Sequence, residues 1–186
     1  MKLSKSKIKN ILFIIVLVVL IIPQTRKPVQ VALHKVIAFI KPVSVQEDTL
    51  EKITDYNWKL KDGSNTVFNF ESAKGQVVLI NFWATWCPPC IAEMPSMQAL
   101  YNDYGDKIVF LFVTNEWFSE VDPFLAKNNY TFKAHRPAEG YPEFFNISSI
   151  PRTFLIDKEG HVVIDENGAL NWNSDKIRST IDGLLK

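Results

Sequence analysis

The stretch Val77-Val78-Leu79-Ile80-Asn81-Phe82-Trp83-Ala84-Thr85-Trp86-Cys87-Pro88-Pro89-Cys90 carries both cysteines of a 186-residue chain, directly behind an apolar run. Residues 77–82 read as a strand covered on both faces. A helix beginning after Trp86 puts Cys87 at its first turn, where unpaired backbone N–H groups and the positive end of the helix dipole favour a thiolate. Placement of that kind lowers a cysteine pKa from about 8.5 into a range of roughly 3.5–7.5. Cys87 is then the nucleophile, and Cys90, one turn further in, is the shielded thiol that resolves a mixed disulfide. Pro88 and Pro89 suit the first turn because the N–H groups they lack would have no intrahelical partner there. They also withdraw donors from the Cys87 sulfur, which points to reducing rather than oxidising exchange.

Other uses of the pair fit less well. A zinc site needs a second Cys or His pair, and His34, His135 and His161 are scattered without ligand spacing, so no metal is expected. A purely structural bridge over two intervening residues closes too small a loop to restrain the unfolded chain much. No cofactor is expected beyond the redox-active disulfide itself.

With 47% apolar and 12% aromatic residues, the chain can bury one good core. Its net charge of +1 hides an asymmetry. Residues 1–42 hold eight Lys or Arg and no acid, which leaves the remainder at a net −7. Lys2, Lys5, Lys7 and Lys9 precede an apolar run over residues 11–22, like the charged and apolar regions of an export signal. That run is shorter than the roughly 20 residues of a usual single-pass anchor, which favours a cleaved signal. Against this, Pro23-Gln24-Thr25-Arg26-Lys27-Pro28 contains no small-x-small cleavage site, and there is no cysteine for a lipid. Residues 1–23 are therefore expected to be an uncleaved membrane segment, with residues 24–55 a basic stalk and linker. Val29, Leu33, Val36, Ile37 and Ile40 recur at helical spacing, as in an amphipathic stretch on a membrane surface; a poorly ordered stalk is the other reading. The leading lysines put the N-terminus in the cytoplasm and the rest outside.

The folded domain is expected over residues 56–186. A hairpin around Asp62-Gly63 comes first, then the strand before Cys87, a helix over residues 90–104 stopped by Gly105, and a second buried strand over residues 108–113. Ser119-x-x-Asp122 opens a short helix with a capping pattern, and residues 131–135 read as a short strand. Residues 136–149 form a loop with a helical turn near Glu143. Residues 153–157 and 161–164 make a hairpin through Lys158-Glu159-Gly160, and Ser174 caps a last helix that buries Ile177, Ile181 and Leu184. Strand, helix, strand, helix, hairpin and helix, with a redox pair at the first strand–helix junction, is the thioredoxin arrangement: a central mixed β-sheet flanked by helices.

The quoted stretch, with Glu93 and Pro95 behind it and Ile150-Pro151-Arg152-Thr153-Phe154-Leu155-Ile156-Asp157-Lys158-Glu159-Gly160 later, resembles the membrane-anchored TlpA/ResA branch of the thioredoxin superfamily. The resemblance implies a protein thiol–disulfide oxidoreductase outside the cytoplasm, periplasmic or extracytoplasmic on a bacterial inner membrane. Its implied substrates are disulfides in exported proteins, including those of cytochrome c maturation, and its electrons come from a membrane thiol donor. No nucleic acid is expected among its partners. Pro151 matches the family's cis-proline, and the backbone of Ile150 can pair with a substrate strand. Glu93 matches an acid that sits near the thiols, where it raises a thiol pKa or shuttles the resolving proton. Asn81 departs from thioredoxins proper, which place a titratable acid there. Of Trp83 and Trp86, one ring is expected to pack under the helix and the other to border the exposed sulfur, and Trp86, Pro88, Pro89, Ile150 and Pro151 are the expected substrate-binding residues.

Two rivals share the fold. A peroxiredoxin carries Pro-x-x-x-Thr-x-x-Cys, but Ile80 and Ala84 stand at those places relative to Cys87. A copper chaperone of this fold uses Cys-x-x-x-Cys with a histidine, one residue longer than the spacing here.

Overall fold

The computed structural model describes residues 5–45 and 51–186; Lys2 and residues 46–50 of the expected linker lie outside the described residues. The basic N-terminal part forms two helices, α1 (Lys5–Ile21) and α2 (Pro23–Ile40). Beyond them, seven strands form one mixed sheet. β1 (Lys59–Asp62) and β2 (Val67–Asn69) are the expected hairpin. Its turn is held by Asp62, whose Oδ1 accepts the N–H groups of Ser64 and Thr66. β3 (Val78–Phe82) is buried along its whole length and lies between β4 (Val109–Val113), parallel to it, and β6 (Arg152–Ile156), antiparallel.

The period of two along β3 divides the core. Leu79 joins Met94, Met97, Phe112, Leu155, Trp172, Ile177 and Ile181 on one face of the sheet. Val78, Ile80 and Phe82 join Trp58, Phe70, Phe145 and Phe154 on the other. Asn81 therefore points the same way as Leu79, toward the helix that follows the cysteines. It is also the register partner of Thr153 on β6.

That helix, α3 (Pro88–Tyr104), has Cys87 as its N-cap and both prolines in its first turn, the start expected from the cysteine pair, two residues ahead of the stretch marked by apolar periodicity. Pro95 lies inside it. α4 (Phe118–Lys127) follows, with Trp117 rather than Ser119 at the N-cap and no side-chain capping bond. β5 (Ala134–Pro137) lies three residues beyond the start predicted for it, placed by pairing with both β4 and β1. The helical turn expected near Glu143 is a 3-10 turn over Glu143–Phe145. β6 and β7 (Val162–Asn167) form the second hairpin, and Ser174 caps α5 (Asp175–Leu185) through the Ile177 N–H. Across the sheet the strands run in the order β2-β1-β5-β4-β3-β6-β7. Before β1, Ile53 is only 2% exposed and donates its N–H to the Gly160 carbonyl, joining the chain near residue 53 to the β6–β7 turn.

No single helix among the described residues is long and apolar enough to cross a membrane; α1 and α2 pass that test together but meet at a bend of 89°. α2 lies on α3. Its Ala38 packs with Ala92 and Ala169, and Lys41 at its end forms an ion pair of 2.6 Å with Glu166. The five apolar residues picked out by helical spacing face away from the domain.

Candidate active site

β3 runs straight into the site. Trp83, 2% exposed, packs its ring against Phe124 and Phe132, which anchors the strand end under α4. The next turn is held by a residue that the sequence did not single out. Glu116, just after β4, accepts the Thr85 N–H at 2.6 Å on one carboxylate oxygen and the Thr85 hydroxyl at 2.6 Å on the other. Two charge-assisted bonds thus fix the backbone two residues before Cys87.

Cys87 and Cys90 are joined in a disulfide with their Cα atoms 5.3 Å apart. The Cys87 sulfur accepts the Cys90 N–H at 3.2 Å, the bond expected of an N-cap. Its other near neighbour is the Ile150 carbonyl, 3.8 Å away. The Ile150–Pro151 peptide is cis. Against the expectation of an exposed attacking sulfur, Cys87 is only 3% exposed in this oxidised form, while Cys90 is fully buried. Trp86 stands open beside the pair at 64% exposure.

Glu93, one turn beyond Cys90, is 1% exposed. Its Oε1 accepts the Asn81 amide N–H at 2.8 Å; its Oε2 accepts the Leu170 N–H at 3.2 Å and the Trp172 indole N–H at 3.1 Å. Asn81 also donates to the Thr153 hydroxyl at 2.7 Å, and its Oδ1 has no partner among the described residues. Burial pushes the Glu93 carboxyl up to about 8, against the opposing pull of the bonds from Trp172, Asn81 and Leu170. A carboxyl with that affinity exchanges its proton near neutral pH, which is the range a proton-transfer group needs. Trp172 sits 79 residues from Glu93 in the chain, and no local pattern marks it as a partner.

A cavity of about 480 Å³ opens beside the cysteines, lined among others by Trp86, Glu116, Tyr141, Ile147 and Ile150. Of the residues read as substrate-binding, Trp86 and Ile150 line it; Pro88 and Pro89 form the helix turn, and Pro151, buried, follows Ile150 across the cis peptide. The one grouping of metal-type side chains among the described residues, Asp157, Glu159 and His161, belongs to the β6–β7 turn. There Asp157 accepts the N–H groups of Glu159 and His161 and meets the His161 ring at 3.0 Å, which accounts for its oxygens by turn formation.

A Redoxin family profile matches residues 46–185. The chain belongs to the Redoxin family. This redoxin is 36% identical over 124 residues to the thioredoxin-like protein YneN of Bacillus subtilis, covering 64% of this chain and 71% of that one. It is 37% identical over 100 residues to the thiol-disulfide oxidoreductase ResA of Oceanobacillus iheyensis, covering 52% of each chain. Among solved structures, a Chlorobium tepidum protein assigned as thiol:disulfide interchange protein DsbE superposes with a TM-score of 0.61 at 25% identity, covering 74% of this chain and all of that one. Together with the Cys87–Cys90 pair, these similarities identify the redoxin as a thiol–disulfide oxidoreductase of thioredoxin fold.

Proposed function

We propose that this redoxin works outside the cytoplasm, tethered by its N-terminal helices, as a net reductase of disulfides in exported proteins. The observation that carries the reading is the Cys87 sulfur at the α3 N-cap, receiving a single N–H from Cys90, with the protonatable Glu93 buried one turn behind. Cys87 thiolate attacks a substrate disulfide and displaces one substrate sulfur, which takes up a proton. Glu93 accepts the proton of Cys90, whose sulfur then attacks Cys87 and releases the second substrate thiol. The substrate gains two electrons and two protons, and the Cys87–Cys90 disulfide re-forms. A membrane thiol donor returns the enzyme to the dithiol, and apocytochrome cysteines are one substrate class that suits such a reductase. Pro88 and Pro89 support the reductive direction, since a sulfur short of N–H donors has a less stabilised thiolate. The substrate chain is placed along Ile150 with a flanking side chain in the cavity beside Trp86.

Insulin reduction by the full chain tests the chemistry: Cys87→Ser should abolish turnover, and Cys90→Ser should accumulate a mixed disulfide on Cys87. Equilibration with glutathione tests the direction. A potential as oxidising as that of a dedicated disulfide donor, about −120 mV, would overturn the reductase reading.

A further inference from the structure

The two faces of α2 are used unequally. Toward the domain, Lys27 Nζ donates to the Thr85 carbonyl at 3.0 Å, Ala38 packs on Ala92 and Ala169, and the Ala38 carbonyl accepts the Asn171 N–H at 3.0 Å. Lys41 closes the series on Glu166 and on the Asn167 carbonyl. α2 therefore touches the active-site turn at one end and the loop carrying Leu170 and Trp172 further along. Away from the domain, Val29, Leu33, Val36, Ile37 and Ile40 form one stripe whose members are between 41% and 72% exposed. A helix of a soluble protein turns such a stripe inward; here the small residues face in and the large apolar ones face out.

What precedes the helix says what covers that stripe. α1 is apolar around its circumference from Ile11 onward, with Ile11, Leu12, Phe13, Ile14, Ile15 and Val16 all exposed. Its 17 residues rise about 25 Å, somewhat less than the roughly 30 Å of a bilayer's hydrocarbon core. The chain then turns by 89° into α2, as a helix does that leaves the bilayer and continues along its surface. Arg26 begins the outward stripe next to the bend, where a long cationic side chain reaches headgroups while its stem stays apolar. The absence of any acid from residues 1–42 suits an anionic surface.

We infer that α2 is a membrane-surface helix whose apolar stripe sinks into the headgroup boundary of a lipid bilayer while its inner face clasps the active-site helix, so that the bilayer sets the orientation of the catalytic face. The inference rests on the tethered reading above and adds to it. The domain does not swing on a loose stalk; it is held against the membrane at Thr85, Ala92 and Glu166, and it meets disulfides presented close to the bilayer.

Spin labelling of the full chain tests this. In a Cys87→Ser/Cys90→Ser background, nitroxides are attached through Leu33→Cys, Val36→Cys or Ile40→Cys, all exposed positions, and through Glu71→Cys as a control beyond β2. The proteins are reconstituted into phosphatidylcholine–phosphatidylglycerol vesicles. The ratio of collisions with oxygen to collisions with a nickel chelate should be several-fold higher at the three stripe positions than at Glu71. Water-like ratios at all four overturn the inference. Spectral broadening at Leu33→Cys that disappears on dilution with unlabelled protein assigns the stripe to a second copy and overturns it as well. Because the labelled chains lack both thiols, parallel insulin reduction by the unlabelled wild type separates the two readings: intact turnover with water-like labels removes only the surface helix, and absent turnover with lipid-like labels removes only the exchange chemistry.

Discussion

The Glu93→Gln substitution should stabilise the oxidised protein at neutral pH while impairing resolution. The carboxyl moves from 4.5 to about 8 on folding because burial disfavours its charge. The folded protein thus holds this proton more tightly than the unfolded chain does, so the cost is absent below pH 4.5, grows as pH rises, and levels off above about 8. At about 1.4 kcal/mol per pKa unit, the penalty comes to about 3 kcal/mol at pH 7. The Glu93→Gln variant would carry none of it. The amide oxygen still accepts from Leu170 and Trp172, and its N–H meets Asn81 once that side chain turns its Oδ1 inward. Urea unfolding of both oxidised proteins from about pH 4 to about pH 9 measures the difference. The variant should gain on the wild type steadily as pH rises, and single-turnover release of the second substrate thiol should lose its inflection near 8. A stability difference that stays flat across this range would show that Glu93 titrates like an ordinary carboxyl, and the proton-transfer role would fall with it.

Trp172→Phe removes one of the N–H groups that favour the ionised carboxyl, so the resolution midpoint should move to higher pH; an unchanged or lower midpoint in a pH-rate profile would refute the indole's part. Glu116→Ala leaves the partly buried Thr85 N–H without its acceptor and should cost about 1–3 kcal/mol by denaturant unfolding, with slower exchange at Cys87. Trp86→Ala, at an exposed site, should leave stability within about 0.5 kcal/mol yet raise the KM for a peptide disulfide; an unaltered KM would exclude the ring from docking.

The strand into Cys87, the helix behind it, the β6–β7 hairpin and the Ser174 cap were legible because each is encoded locally, by periodicity, turn residues or a capping side chain. β5 was misplaced because its position depends on two partners far off in sequence. Ser119 offered a capping pattern, but α4 had already begun at Phe118, so that signal misled. The cysteines and the cis bond before Pro151 could be read or matched from the sequence. The hold of Glu116 on Thr85 and of Trp172 on Glu93 could not, since each spans a separation that only the fold closes. The stripe on α2 was visible as a period, but its direction was not: the contact that turns it outward is made by alanines, whose small apolar area gives little sequence signal.

Asn81 occupies the place where thioredoxins proper keep a buried acid, and among the described residues its Oδ1 acceptor is idle. An amide that pivots about its own axis offers nitrogen to a carboxylate and oxygen to a carboxylic acid, so Glu93 finds a matching neighbour in either state. In the oxidised form Cys90 carries no proton and none of the Asn81, Leu170 and Trp172 groups bonded to Glu93 is an acid, so its titration follows a simple sigmoid rather than the two linked steps of a paired acid. Substituting Asp at position 81 would replace that single curve with a shared one.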